Sequence, residues 1–307
     1  MSAAALAGVL PMLPTPFDDN GRILLDDFAA LISHQLENGA HGIAALGLGG
    51  EAARLSVEER TRVADTVLRA VPGGTRVLIG VSADDTADSC ALARHAADRG
   101  ATAIMVAPPG IPAMDRRALR EHYFAVCDAA DSIEVMVQDA PAFIDVSLGA
   151  EFVAELAAGR TNIRYAKSEA FPAAERTAEL VSLLGARAGV FGGTSGLHYL
   201  DVLDAGAVGM IPGCEAPAEF VGIYNAYVAG RRDEARRRFA RLQPLLVFEA
   251  QTLDIFIASS KAILKSRGII RSDALRAPNP LGAASRRVLM QHAEHALRKE
   301  GLHDADT

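Results

Sequence analysis

Ile133-Glu134-Val135-Met136-Val137-Gln138, a helically spaced stretch over 150–158, and then Ile163-Arg164-Tyr165-Ala166-Lys167 form the unit from which the fold is read. The two short apolar runs have the length of strands, and the stretch between them carries apolar residues at helical spacing. A strand, a crossover helix and a second strand make one step of a parallel sheet. The same alternation extends in both directions along the chain. Strands are expected at 8–14, 42–48, 77–81, 103–107, 133–138, 163–167, 189–192 and 209–212. Helices are expected at 24–36, 56–70, 86–99, 117–129, 150–158, 173–184 and 197–204. Ser56 with Glu59 three residues later fits a capping box, and Asp84 or Asp85 can cap the helix that starts near Thr86.

Eight strand candidates within the first 215 residues point to an α/β fold of the (β/α)8 TIM-barrel type, which usually needs about 250 residues. A doubly wound open sheet is the alternative; it would need fewer strands and a ligand crevice at a switch point. After Cys214 the strands stop, and 218–229, 232–249, 253–266 and 283–299 read as helices. The expected organisation is therefore a barrel over 1–215 and a C-terminal helical extension over 216–307. Asn279-Pro280-Leu281-Gly282 breaks the last helix pair, and the residues after Leu302 are expected to fray.

Half of the 307 residues are apolar and 22% are charged, enough to build a large core. The formal charge is −7 and the basic residues are scattered, which gives no footprint for a phosphate backbone, so no nucleic-acid partner is expected. The first seven residues lack a charged n-region, and no apolar run reaches the length of a membrane span. A cytoplasmic protein without membrane partners is expected. Cys90, Cys127 and Cys214 are too far apart in sequence for a metal knuckle and read as small core residues.

In a barrel of this kind the chemistry sits at the C-terminal ends of the strands. Lys167 stands there on the sixth strand, in Ile163-Arg164-Tyr165-Ala166-Lys167-Ser168-Glu169-Ala170. Of 31 basic residues only Lys167, Lys261, Lys265 and Lys299 are lysines. Guanidinium stays protonated, whereas a desolvated amine can lose its proton and attack a ketone. A structural ion pair with Glu169 or Glu51 is the competing reading of Lys167. Ala45-Leu46-Gly47-Leu48-Gly49-Gly50-Glu51 follows the second strand, and its glycines let backbone N–H groups approach a substrate carboxylate. Leu48, Gly49, Gly50 and Glu51 are therefore candidate substrate-binding residues. The same letters match a dinucleotide fingerprint weakly, because they follow the second strand and Asp65 falls in a helical pattern.

Gln138 ends the fifth strand and is either a site residue or a buried hydrogen-bond partner, and Asp139 is expected to brace the loop beyond it. Gly193 and Thr194, in Gly192-Gly193-Thr194-Ser195, offer donors to a substrate, although a tight turn explains them equally well. His292 and His295 lie one helical turn apart without a third ligand, so no metal is expected.

Taken together these motifs resemble the dihydrodipicolinate synthase and N-acetylneuraminate lyase superfamily over essentially the whole chain. The opening Gly8-Val9-Leu10-Pro11-Met12-Leu13-Pro14-Thr15-Pro16-Phe17 resembles the family's first strand. Gly47 to Glu51, continuing into Leu55-Ser56-Val57-Glu58-Glu59-Arg60, resembles its Gly-Thr-Thr-Gly-Glu motif, and Lys167 falls where it carries a Schiff-base lysine. Lys261-Ala262-Ile263-Leu264-Lys265 and Arg276-Ala277-Pro278 resemble its helical C-terminus. The resemblance implies a (β/α)8 barrel, an imine between Lys167 and a 2-oxo acid, no cofactor, and a homotetramer or homodimer.

The family's proton relay uses a hydroxyl residue in the glycine motif and two tyrosines; here those places hold Leu48, Pro109 or Gly110, and Gln138. Gln138-Asp139-Ala140-Pro141 is instead similar to the subgroup that includes L-2-keto-3-deoxyarabonate dehydratase. The expected reaction is dehydration of a 2-keto-3-deoxy sugar acid, with Lys167 as nucleophile and Gln138 positioning a hydroxyl or a water. Aldol cleavage or condensation with pyruvate, and a barrel that only binds a 2-oxo acid, are the alternatives.

Overall fold

A computed structural model of the chain describes residues 6–110 and 114–298. The readings of the first five residues, of a helix end at Lys299 and of a frayed tail after Leu302 lie outside the described residues. Among the described residues, eight strands form one parallel sheet: β1 (Gly8–Val9), β2 (Ile43–Ala45), β3 (Val77–Gly80), β4 (Ala103–Val106), β5 (Glu134–Asp139), β6 (Ile163–Ser168), β7 (Gly189–Gly192) and β8 (Gly209–Met210). Each pairs with its sequence neighbour, and β1 pairs with β8. The sheet closes where Leu13 N–H donates to Ala44 O at 2.8 Å and Ala44 N–H to Pro11 O at 3.0 Å. The fold is thus the (β/α)8 barrel that the alternation implies, and an open sheet is ruled out by that closing ladder.

The helices are α1 (Asp27–Glu37), α2 (Val57–Ala70), α3 (Thr86–Asp98), α4 (Arg116–Ala129), α5 (Ala150–Gly159), α6 (Ala173–Leu184) and α7 (Tyr199–Asp204). Beyond β8 come α8 (Pro217–Val228), α9 (Arg232–Glu249), α10 (Leu253–Ser266) and α11 (Ala283–Leu297). The capping box forms: Ser56 Oγ accepts from Glu59 N–H and Glu59 Oε2 from Ser56 N–H. Asp85, not Asp84, caps α3 by accepting from Ala87 N–H and Asp88 N–H. Five strands, β1, β2, β3, β4 and β8, end before the sequence predicts, β1 and β2 by the most. β2 stops at Ala45 because Leu46 adopts the left-handed region at φ 60°, and no side chain fits at Gly80, where a Cβ would meet Leu46 O at 2.0 Å. β1 is brief because Pro11 and Pro14 have no N–H to donate to a ladder.

Two apolar layers fix the barrel. Leu10, Met12, Leu78, Met105, Met136, Tyr165, Phe191 and Ile211 fill its interior. Ile43, Val77, Ile104, Val135, Val137, Ala166 and Val190 face the surrounding helices. Strand side chains alternate with a period of two, so inward Tyr165 and Met136 set which later residues reach the barrel mouth. All three cysteines are buried core residues.

Candidate active site

Two positions beyond Met136 is Gln138, and two beyond Tyr165 is Lys167, so both side chains point into the barrel at its C-terminal end. The β5–β6 register sets them directly side by side. One further period along the chain is Glu169, whose Oε2 lies 3.0 Å from Lys167 Nζ. Gln138 Nε2 donates to the same Oε2 at 2.5 Å, and Thr194 N–H donates to Oε1 at 2.8 Å. A carboxylate only accepts, so Gln138 must present its NH2 group to Glu169. All three side chains are buried: Gln138 is 1% exposed, Glu169 5% and Lys167 6%.

Lys167 therefore is paired with Glu169, yet the pair is not sealed off. Both residues line a cavity of about 410 Å³ together with Leu48, Gly49, Thr194 and Phe256. The ammonium and carboxylate face a chamber large enough for a small acid.

The glycine motif folds as a 3₁₀ turn, Leu48–Gly50, directly after the kink at Leu46. Gly50 N–H donates to Gly47 O at 3.0 Å and Glu51 N–H to Leu48 O at 3.0 Å. Gly50 was expected to offer its amide to a carboxylate and does not, because that donor is engaged within the turn. The N–H groups of Leu48 and Gly49 precede the turn's first hydrogen bond and face the same end of it. A Cβ at Gly49 would meet the Phe256 ring at 2.9 Å, so only glycine lets this backbone sit against α10.

Glu51 is also placed differently from its expected role. Its carboxylate pairs with the buried Lys261 ammonium and with Arg54 at 3.0 Å, and it accepts from Arg276 N–H at 3.1 Å. Lys261 also donates to Ala274 O at 2.9 Å. Glu51 thereby ties the glycine motif to α10 and the segment beyond it, and orients the loop instead of meeting substrate. Thr194 and Ser195 adopt left-handed φ values of 52° and 56°, and a Cβ at Gly193 would collide with the Glu169 carboxylate. Non-glycine residues in that region store strain, and the turn they form carries the Thr194 amide that donates to Glu169. Asp139 braces its loop as expected, accepting from Leu148 N–H at 3.0 Å.

A second acidic feature lies behind the first cavity. Glu249, at the end of α9, lines it, and Glu215 follows β8; both side chains are fully buried and none of their oxygens has a partner among the described residues. Burial pushes the Glu215 carboxyl up to about 7, and burial plus the Glu215 charge raises Glu249 well above the carboxylate range. Between pH 4.5 and about 7 the unfolded chain releases the Glu215 proton while the native state keeps it, so stability falls as pH rises across that window. Glu215→Gln should flatten this slope in a series of Tm measurements; a slope unchanged from wild type would mean that Glu215 ionises freely in the native state.

Glu169 and the roof formed by 249–256 were not singled out by sequence. In the sequence Glu169 reads only as an ion-pair partner, although its two-residue offset from Lys167 signals a shared face. The roof has no local signal, because α10 meets the Leu48–Gly50 turn from some 200 residues away. Among the described residues no group of three or more His, Cys, Asp or Glu could hold a metal ion, and no helix is long and apolar enough to cross a membrane.

Comparison with known proteins agrees with this geometry. The model of the dihydrodipicolinate synthetase family matches residues 5–296. The L-2-keto-3-deoxyarabonate dehydratase of Azospirillum brasilense is 32% identical over 277 residues, covering 89% of this chain and 88% of that one. A crystal structure of dihydrodipicolinate synthase from Rhodopseudomonas palustris is 27% identical, with a TM-score of 0.87 over 94% of this chain and 97% of that one. An E. coli prophage protein of the same family, solved in complex with pyruvate, is 25% identical with a TM-score of 0.86, covering 95% and 100% of the two chains.

Proposed function

We propose, from the premise that this chain belongs to the dihydrodipicolinate synthetase family, that it dehydrates a 2-keto-3-deoxy sugar acid through an imine on Lys167. The observation that carries this reading is Glu169 Oε2, held between Lys167 Nζ and Gln138 Nε2 on the wall of the cavity. The substrate carboxylate is held by the Leu48 and Gly49 amides, which brings the ketone carbon to Lys167. Glu169 takes a proton from the Lys167 ammonium, and the freed amine attacks the ketone. Glu169 returns that proton to the hydroxyl of the adduct, whose loss as water gives a protonated imine that withdraws electrons from the neighbouring carbon and leaves Glu169 ionised again. Glu169 then accepts a proton from that carbon, leaving an enamine. Returning this proton to the hydroxyl on the next carbon releases a second water, and hydrolysis frees Lys167.

Glu169 stands in for the tyrosine relay, and Gln138 fixes it, since an amide does not titrate in the useful range. The name of the Azospirillum relative supports dehydration; the synthases among the relatives support aldol chemistry on the same imine. Incubation with a panel of 2-keto-3-deoxy acids separates the two. The five-carbon acid is expected to give a 2-oxo acid semialdehyde, and longer acids the corresponding 2,5-dioxo acid. Release of pyruvate would replace dehydration by aldol cleavage, and thermal stabilisation without any product would make the barrel a binder only. A cytoplasmic homotetramer or homodimer completes this reading, and sedimentation of the purified chain reads its assembly.

A further inference from the structure

Glu249 is the last residue of α9 before the cavity roof, and Glu215 follows Pro212, which lines the same cavity. Both side chains are 0% exposed, and none of their four oxygens has a hydrogen-bond partner among the described residues. A buried carboxylate without a partner is costly, so such a group keeps a proton. The Glu215 carboxyl lies directly on the backbone of Gly213, where a Cβ would meet its Oε1 at 2.6 Å. Only glycine leaves room for it there.

The elements packed around the pair do not supply a counter-charge to it. Beyond burial, what raises Glu249 is the charge of Glu215. Glu215 is faced by Ser260 of α10 and by Cys214, whose thiol burial holds well above its ordinary value. From α1, Gln35 donates Nε2 to Cys214 O at 2.9 Å; from α10, Arg267 donates to the main-chain O of Glu215 at 3.3 Å. Other charged groups nearby are engaged with one another: Glu219 of α8 with Arg241 at 2.7 Å, Asp204 of α7 with Tyr227 at 2.7 Å, Glu294 of α11 with Arg298 at 3.6 Å, and Lys261 of α10 with Glu51.

We propose that Glu215 and Glu249 act as one positioning pair, in which a proton on Glu249 is donated to Glu215 and fastens the cavity roof to the end of β8. The roof is where this matters. Ala250, Gln251, Thr252 and Leu253 follow Glu249 directly and line the cavity, and α10 beyond them packs on the Leu48–Gly50 turn. α9 itself packs on the Thr194–Gly196 turn, which carries the amide that holds Glu169. Glu215 gives up its proton near pH 7 while Glu249 keeps its own, which makes the contact a charge-assisted hydrogen bond. At higher pH Glu249 ionises too, and two like charges in a water-poor interior repel. The roof then parts from β8 and the substrate carboxylate loses its seat. The proposal rests on the imine reading for its kinetic effect alone.

The test follows hydrogen–deuterium exchange in peptides covering 250–256, normalised to the unstructured rate, from neutral to alkaline pH in wild type, Glu249→Gln and Glu249→Ala. KM and kcat on a five-carbon 2-keto-3-deoxy acid are measured over the same range, with borohydride trapping of pyruvate as a separate readout of Lys167. In wild type, exchange should quicken and KM should rise about tenfold or more along the alkaline limb, with kcat changing less. Glu249→Gln keeps a donor that cannot ionise, so both should stay flat where wild type climbs. Glu249→Ala has neither donor nor charge and should show the loosened roof and the raised KM already at neutral pH. A wild-type roof that does not loosen before global unfolding, a Gln variant that climbs with wild type, or an Ala variant that matches the Gln variant overturns the pair. Absence of trapping in wild type, with the exchange pattern as expected, removes the imine reading and leaves the pair standing. Glu215→Gln supplies a non-ionising donor from the other side and keeps the test decisive if Glu249→Gln fails to fold.

Discussion

Lys167→Arg should lower turnover by about four orders of magnitude or more while leaving the fold intact, because the nucleophile disappears and the charge does not. Arginine can still pair with Glu169, so the buried carboxylate is not left unbalanced, and Tm should move by only a few degrees. A guanidinium cannot shed its proton to Glu169 and cannot condense with a ketone. The check is kcat on the best substrate of the acid panel, with Tm measured on the same preparation. Retained turnover would remove Lys167 from the chemistry and leave it as half of a structural ion pair.

The second large effect is expected at Glu169. Glu169→Gln keeps the shape and can still meet Thr194 N–H, but it cannot take up a proton. A loss of about 10²- to 10⁴-fold in kcat is expected, the usual contribution of a positioned acid-base group. KM should change little, and pyruvate should still be trapped on Lys167 when imine formation is allowed to reach equilibrium. Loss of trapping together with a large fall in Tm would instead mark Glu169 as a structural counter-ion. Gln138 takes no part in that split except through Glu169, its hydrogen-bond partner at 2.5 Å.

The sequence carries the barrel because each strand and helix is a local pattern, and the closure follows from counting them. The ends of elements are less legible where one residue's conformation decides. Leu46 reads as a strand residue by hydropathy, yet its left-handed φ ends β2 and creates the turn that presents the Leu48 and Gly49 amides. Lys167 and Gln138 could be placed because strand ends are where such barrels work. Glu169 reads locally only as a possible ion-pair partner of Lys167, although the two-residue period puts both on one face. Glu51 could not be assigned locally, since its partner Lys261 is 210 residues away and only the folded chain brings them together. For the same reason the cavity roof, including Phe256, is invisible to any window of sequence.

The most direct measurement is borohydride reduction in the presence of pyruvate, followed by mass spectrometry of the peptides that contain lysine. The expected result is a covalent adduct on Lys167, with Lys261 unmodified because its ammonium is fully buried against Glu51. An unmodified Lys167, under conditions that label a known imine-forming aldolase, would contradict the account.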